Sequence, residues 1–171
     1  MKRVSLVAAA LALTLSVPVF AKELKIGVVN SAVLLDRAPQ AEAARKQLER
    51  EFSSREKEIV DAQKSAASLE EKLSRDGSTM TESERSRDER ELNRRMRELQ
   101  RLQTEFRDDL NLRKNEELSK LQRQIYDVIL DMAKNDGYDL ILSDGVVYAG
   151  KDVDVTELVL KRLESVPSRS K

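Results

Sequence analysis

The sequence contains no cysteine, no histidine and no tryptophan. Without cysteine the chain cannot form disulfides. Without cysteine or histidine it cannot build the thiolate and imidazole sites that bind zinc, or the nucleophile–base pairs that use these residues. Glycine-rich phosphate loops and nucleophile-elbow motifs are missing as well. We therefore expect no metal, no cofactor and no enzyme activity, and leave open only a carboxylate pair among the aspartates of residues 136–154.

Residues that interrupt helices or fill compact cores are also scarce. The chain has five glycines and three prolines, and aromatic residues make up 4% of it. Charged residues make up 36%, and the 31 basic and 31 acidic side chains cancel. This composition favours long solvated helices, and the lack of a basic excess argues against a nucleic-acid-binding protein.

Residues 1–21 have the layout of a secretory signal peptide. A positive start at residues 1–3 precedes an apolar run at residues 4–17, and residues 19–21 offer a cleavage site. The apolar run is short for a membrane span, and Pro18 interrupts it. We expect cleavage after Ala21 and export to the periplasm.

Residues 39–135 predict two long helices that form an antiparallel hairpin, here called the arm. Pro39 suits a first helical position, residues 75–81 interrupt the pattern as a tip, and Thr81 with Glu84 forms a capping box that restarts a helix. Apolar residues recur on both sides of the tip at the spacing of a coiled-coil seam, and reflection about Ser78 brings the two runs face to face. The seam positions are Leu48, Phe52, Ile59, Met96, Leu99, Phe106 and Leu110.

One seam position is polar. Arg55 stands where the pattern expects an apolar residue, and reflection places it opposite Gln103, one layer from the expected contact between Phe52 and Phe106. Such a layer sets the register of the helices or weakens the arm locally so that it bends. The alternative is that Arg55 extends outward into solvent and has no further effect.

The two ends of the mature chain, residues 22–38 and 136–164, predict a small body, and residues 165–171 a flexible tail. The expected elements of the body are strands at residues 25–30, 138–142 and 146–149, a turn at 144–145, and short helices at 32–35 and 158–163. Asn30 or Ser31 is expected to cap the first of these helices.

The body is small for an independent core, and its short strands leave open edges, so self-association is expected to complete it. The residues expected to mediate this association are Ile26, Val28, Leu121, Ile125, Val128, Ile129, Leu140, Leu142 and Val147. The predicted fold class is α+β, mostly α, with a long coiled-coil hairpin projecting from a small β-strand body.

Arginines cluster just beyond the tip, with fewer acidic residues between them, and Met80 lies in the tip outside the seam. One interpretation is a surface that contacts an unfolded chain or anionic lipid; the other is a solvated helix face with ion pairs between residues three or four apart. The candidates for such contact are Met80, Arg85, Arg94, Arg97 and Arg101.

The chain resembles the Skp/OmpH family of periplasmic chaperones along nearly its whole length. The segments that carry the resemblance are residues 25–30, 75–80, 137–142, 146–149 and 154–156. Their order and spacing, together with the predicted signal peptide, are typical of that family.

The resemblance implies a homotrimer in which the strands form a β-barrel and three arms enclose a cavity. Unfolded outer-membrane β-barrel proteins are held there without ATP. It also implies a lipopolysaccharide site, for which only Arg113 and Lys114 are candidates here, because this chain lacks the basic excess of relatives. The alternative function is a structural coiled-coil spacer or adaptor of the cell envelope.

Overall fold

The computed structural model describes residues 23–166, so the predicted signal peptide and residues 167–171 of the tail lie outside the described part of the chain. Two long helices of 38 and 55 residues dominate it. Their lengths are roughly 57 and 83 Å. In chain order, the elements are β1 (Ile26–Val28), α1 (Ser31–Arg37), α2 (Pro39–Asp76), α3 (Glu82–Asp136), β2 (Leu140–Leu142) and α4 (Thr156–Glu164).

The helix ends follow the local signals in the sequence. The Asn30 side chain accepts a hydrogen bond from the Val33 amide and caps α1. Pro39 begins α2, and the capping box of Thr81 and Glu84 begins α3. Gly137 ends α3 in a left-handed conformation, with φ of 71°, which glycine adopts without steric cost.

The core of the body forms within a single chain, where the C-terminal part of α3 packs between α1, the start of α2, and α4. Leu34, Met132 and Leu163 are fully buried at its centre. Leu121, Ile125 and Val128 are also buried there, and Ile129 packs against them. Within the chain, α1 and α4 cover much of this apolar stripe of α3, and the expected role of the four residues in self-association stays a prediction.

The sheet has two parallel strands in the described residues, with Ile26 paired to Leu140 and Val28 to Leu142. The other edge of β1 is taken by residues 153–155, since Val28 donates to the Val153 carbonyl and accepts from the Val155 amide. The second C-terminal strand predicted at residues 146–149 does not form. Both edges of β1 are occupied, whereas the outer edge of β2 has no strand paired to it among the described residues.

The arm is formed by α2 and α3, which run antiparallel. The rings of Phe52 and Phe106 meet edge to face with centroids 5.6 Å apart, so this predicted contact is confirmed. Nearer the tip, the Lys72 amine donates to Asp88 at 2.8 Å. No helix among residues 23–166 is both long and apolar enough to cross a membrane.

Two seam predictions are corrected. Met96 is 49% exposed, because the preceding residue, Arg95, reaches across the helix interface and donates to the Ser65 carbonyl oxygen at 3.0 Å. Arg55 donates to Asp109 at 2.8 Å, whereas Gln103 is exposed. The remaining predicted seam residues, Leu48, Ile59, Leu99 and Leu110, are buried or half-buried.

Candidate functional site

The arm surface carries single apolar side chains separated by charge. On the part of the arm that lies beyond the core of the body, four of them are exposed, namely Val60, Met96, Leu112 and Leu118. Since they are spread along the two helices, they form no continuous groove. Such isolated patches give many weak contacts to a flexible apolar chain and no strong one.

A shallow depression runs along one flank of the arm where α2 has small side chains. Ala62 and Ser65 line it from α2, and Glu98 and Leu102 from α3. Its rim carries Lys57, Glu58 and Asp61. The depression therefore offers a narrow apolar floor between charged walls.

The candidate arginines beyond the tip are mostly paired along their own helix. Arg85 contacts Glu82, Arg94 contacts Glu91, and Arg101 contacts both Glu98 and Glu105. Hydrogen bonds from Arg94 and then Arg95 lower the pKa of the Glu91 carboxyl to about 2. This pattern favours the interpretation of a solvated, ion-paired face.

Arg97 differs from its neighbours. It is exposed, and no ion pair of its guanidinium is found among residues 23–166. Met80 is half-buried at the tip, where its amide donates to the Asp76 carbonyl oxygen at 3.2 Å. Neither residue lies with the other candidates in a single built pocket.

Arg113 is committed to contacts within the arm. Its guanidinium donates to both carboxylate oxygens of Glu51, at 3.1 and 3.3 Å, and contacts Glu116 and Glu117 as well. Hydrogen bonds to Glu51 and then Glu116 raise the pKa of the Arg113 guanidinium above its ordinary value. With Lys114 alone exposed beside it, the pair offers little positive charge to a lipopolysaccharide phosphate.

The body exposes a second apolar surface. Ile26, Leu140 and Leu142 extend from one face of the two-stranded sheet, and all three are more than one third exposed. Val147 and Tyr148 project from the loop after β2, with exposures of 102% and 86%. Val28, by contrast, is half-buried.

A groove of about 350 Å³ lies beside this sheet. Its walls are the start of α1 with the preceding residues 28–30, and residues 143–149. The groove and the exposed sheet face lie next to each other, because both border β1. The sheet face is apolar, whereas the lining of the groove is more polar, with Asn30, Ser143 and Asp144 among its residues.

Two exposed apolar residues of α3, Tyr126 and Leu130, were missed by the sequence interpretation. They are four residues apart and lie on one helix face, away from the stripe that fills the core. Their spacing of four residues is the feature of the sequence that could have identified this second apolar face. The same segment also carries the longer apolar stripe that fills the core, so the second face was hard to recognise in the sequence.

No group of three or more acidic side chains is arranged to hold a metal ion within residues 23–166. Among the aspartates of the loop after β2, Asp154 accepts a hydrogen bond from the Thr156 amide, and hydrogen bonds from Thr156 lower the pKa of its carboxyl.

Comparison with known proteins finds a family match along most of the chain. The model of the family described as "Outer membrane protein (OmpH-like)" matches residues 25–163. The chain belongs to this family. The chaperone protein Skp of Yersinia enterocolitica is 32% identical over 160 residues, which cover 93% of this chain and 98% of that protein.

Other matches agree with this assignment. The chaperone protein Skp of Photorhabdus laumondii is 35% identical over 141 residues, covering 82% of this chain and 86% of the relative. A solved structure from Caulobacter crescentus CB15, described as OmpH-like, superimposes with a TM-score of 0.75. It shares 13% sequence identity over 87% of this chain and 89% of that chain, so the likeness concerns the fold.

Proposed function

We propose that this protein is an ATP-independent periplasmic holdase chaperone that binds unfolded outer-membrane β-barrel proteins and prevents their aggregation. The observation that carries the proposal is the arm, which presents separated apolar side chains within a charged, solvated surface. An unfolded chain of alternating apolar and polar residues matches such a surface through many weak contacts. The names of the relatives, Skp chaperones, support the same function.

The two apolar surfaces have different proposed functions. The arm, residues 39–135, holds the unfolded chain, and the body, residues 22–38 and 136–164, joins the subunits. The apolar sheet face of Ile26, Leu140 and Leu142 supports a homotrimer in which the strands of three chains close a barrel. A two-stranded sheet with one exposed apolar face is marginal in water unless other strands cover it.

Binding of lipopolysaccharide or membrane lipid is a weaker proposal for this chain. The basic and acidic side chains of the sequence balance, and Arg113 is engaged with Glu51, so the predicted site at Arg113 and Lys114 offers little free positive charge to anionic headgroups. Arg97 is the exposed cation that best fits a contact with an anionic partner.

An aggregation assay tests the function. An unfolded outer-membrane barrel protein is diluted from urea, and light scattering is recorded with increasing amounts of this protein and with an equal mass of an unrelated soluble protein. The proposal predicts suppression that saturates near a defined ratio of subunits to client. Undiminished scattering at several-fold excess would instead favour a structural spacer or adaptor of the cell envelope.

A further inference from the structure

Two ion pairs join the arm helices on either side of Phe52. The Arg55 guanidinium donates to Asp109 at 2.8 Å, and the Arg113 guanidinium donates to both oxygens of Glu51 at 3.1 and 3.3 Å. Each helix thus contributes one acid and one base, placed four residues apart, which is about one helical turn. Arg113 is further fixed by Glu116 and by Glu117, whose side chain is only 14% exposed.

The order of the four charges is reciprocal. On α2 the acid, Glu51, precedes the base, Arg55, while on α3 the acid, Asp109, precedes the base, Arg113. Because the helices run antiparallel, opposite charges meet in both pairs. Displacing one helix by a turn in one direction would bring Glu51 opposite Asp109, and Arg55 opposite Glu105, an acid that already pairs with Arg101. The other direction would bring Arg55 opposite Arg113, and Glu51 opposite Glu117.

Around Phe52 the apolar seam discriminates little between these arrangements, although farther along the arm the same displacement would place Ile59 opposite Arg95 or Gln103. After a displacement of one turn, Phe52 would face Leu102 or Leu110 in place of Phe106, and both leucines lie half-buried on the same side of α3. An apolar ring packs acceptably on either side chain. Like charges, by contrast, are disfavoured when they lie opposite each other across a helix pair.

We propose that Glu51, Arg55, Asp109 and Arg113 form a charge code that specifies the register of the arm helices and keeps the arm closed at its middle. The inference goes beyond the proposed holdase function, because it concerns how the arm itself is built. The four side chains are partly exposed, so the code acts mainly against wrong arrangements and weakens as salt is added.

A matched set of charge exchanges tests the code. Glu51→Arg with Arg55→Glu places like charges opposite each other in both pairs without changing the net charge. Adding Asp109→Arg with Arg113→Glu restores opposite charges in both pairs, and this fourfold exchange is made with Glu116→Gln and Glu117→Gln, because both acids contact position 113. Glu49→Arg with Arg50→Glu serves as the control, because both residues are exposed on the same helix and face no partner on α3.

The register is read as a distance between two spin labels. Lys57→Cys on α2 and Gln122→Cys on α3 are exposed positions, and the chain has no other cysteine to compete for the label. Their separation lies largely along the arm axis, so a displacement of one turn changes it by about 5 Å. Labelled protein is diluted with unlabelled protein, so that only distances within one chain are recorded.

The wild type, the control and the fourfold exchange are expected to share one narrow distance distribution. The twofold exchange is expected to shift the mean by several ångströms or to broaden the distribution. The code is overturned if the twofold exchange keeps the wild-type distribution, or if the fourfold exchange fails to recover it.

A milder variant covers the case in which the twofold exchange unfolds the arm. Arg55→Gln with Arg113→Gln removes both attractions without adding repulsion, and circular dichroism verifies its helix content. Its distribution is expected to be broader than that of the wild type at low salt, and the difference is expected to shrink at high salt. An equally narrow distribution at low salt would refute the proposal.

Discussion

At the scale of single residues, the packing of the arm depends on which side chains, charged or apolar, occupy the interface between its two helices. Arg95 takes a place between the helices by bonding to Ser65, and Met96 turns outward as a consequence. The sequence predicts an apolar stripe, but it cannot tell which of two adjacent residues faces the partner helix. That choice depends on the relative rotation of the helices, which long side chains such as arginine shift.

The Phe52–Phe106 contact is expected to contribute measurably to the stability of the arm. Phe52 is 5% exposed, and its truncation to Ala leaves a cavity that costs up to about 3 kcal/mol. Phe106→Ala is expected to cost less, because that ring is half-buried. Urea unfolding of both single variants and the double variant is expected to show non-additive losses, since the rings touch. Additive losses would mean that the two rings contribute independently.

Asp88 is expected to make the tip sensitive to acid. A hydrogen bond from Lys72 lowers the pKa of the Asp88 carboxyl. The Asp88 carboxylate therefore stabilises the fold fully above its unfolded-state pKa of about 4. This stabilisation is lost as the pH falls through the lower folded-state pKa. Asp88→Asn is expected to be less stable than the wild type at neutral pH, with a difference that narrows in acid. Asp131→Asn, on the exposed side of α3, is the control. A difference independent of pH would contradict the assigned role.

At the scale of elements, the helices were predictable from the sequence and one strand was not. Helix ends depend on local signals, such as Pro39 and the Thr81–Glu84 capping box, which the sequence states directly. A strand depends on a partner that lies elsewhere in the chain. Residues 146–149 have strand-like composition, yet they pair with no strand, although the outer edge of β2 is open among the described residues. Composition alone therefore over-predicted the sheet.

The capping box is expected to hold the start of α3 and hence the shape of the tip. The Thr81 hydroxyl accepts from the Glu84 amide, and the Thr81 amide donates to the Glu84 carboxylate at 3.0 Å. Thr81→Ala is expected to lower the unfolding free energy by about 1 kcal/mol. Thr104→Ala, on an exposed face within α3, is expected to change it far less. Equal effects in urea titrations would show that the cap is unimportant.

At the scale of the whole molecule, the structure separates two apolar surfaces with different expected roles. The stripe of Ile125 and Val128 fills the core of one chain, while the face of Ile26, Leu140 and Leu142 remains exposed. The sequence could not separate the two sets, because both are strongly apolar. Only the packing of α4 against α3 decides which set is covered within the chain.

The proposed trimer is expected to depend on the exposed sheet face. Leu140→Asp adds a charge at a surface that three chains would bury, so it is expected to dissociate the assembly. Leu112→Asp introduces the same change on the arm surface and is expected to leave the assembly intact. Sedimentation equilibrium at micromolar concentration distinguishes the two. A trimer that survives Leu140→Asp, or a wild-type monomer, would contradict the proposed assembly.

The most direct test of the central claim, that scattered apolar side chains on the arm hold the unfolded chain, is light scattering with an arm variant. Val60→Ser, Met96→Gln, Leu112→Gln and Leu118→Gln together remove exposed apolar groups that lie outside the chain's own core. The variant is expected to keep the helix content and the assembly state of the wild type. It is expected to lose most of its ability to suppress the aggregation of an outer-membrane barrel protein diluted from urea. Full suppression by a folded variant would contradict the account.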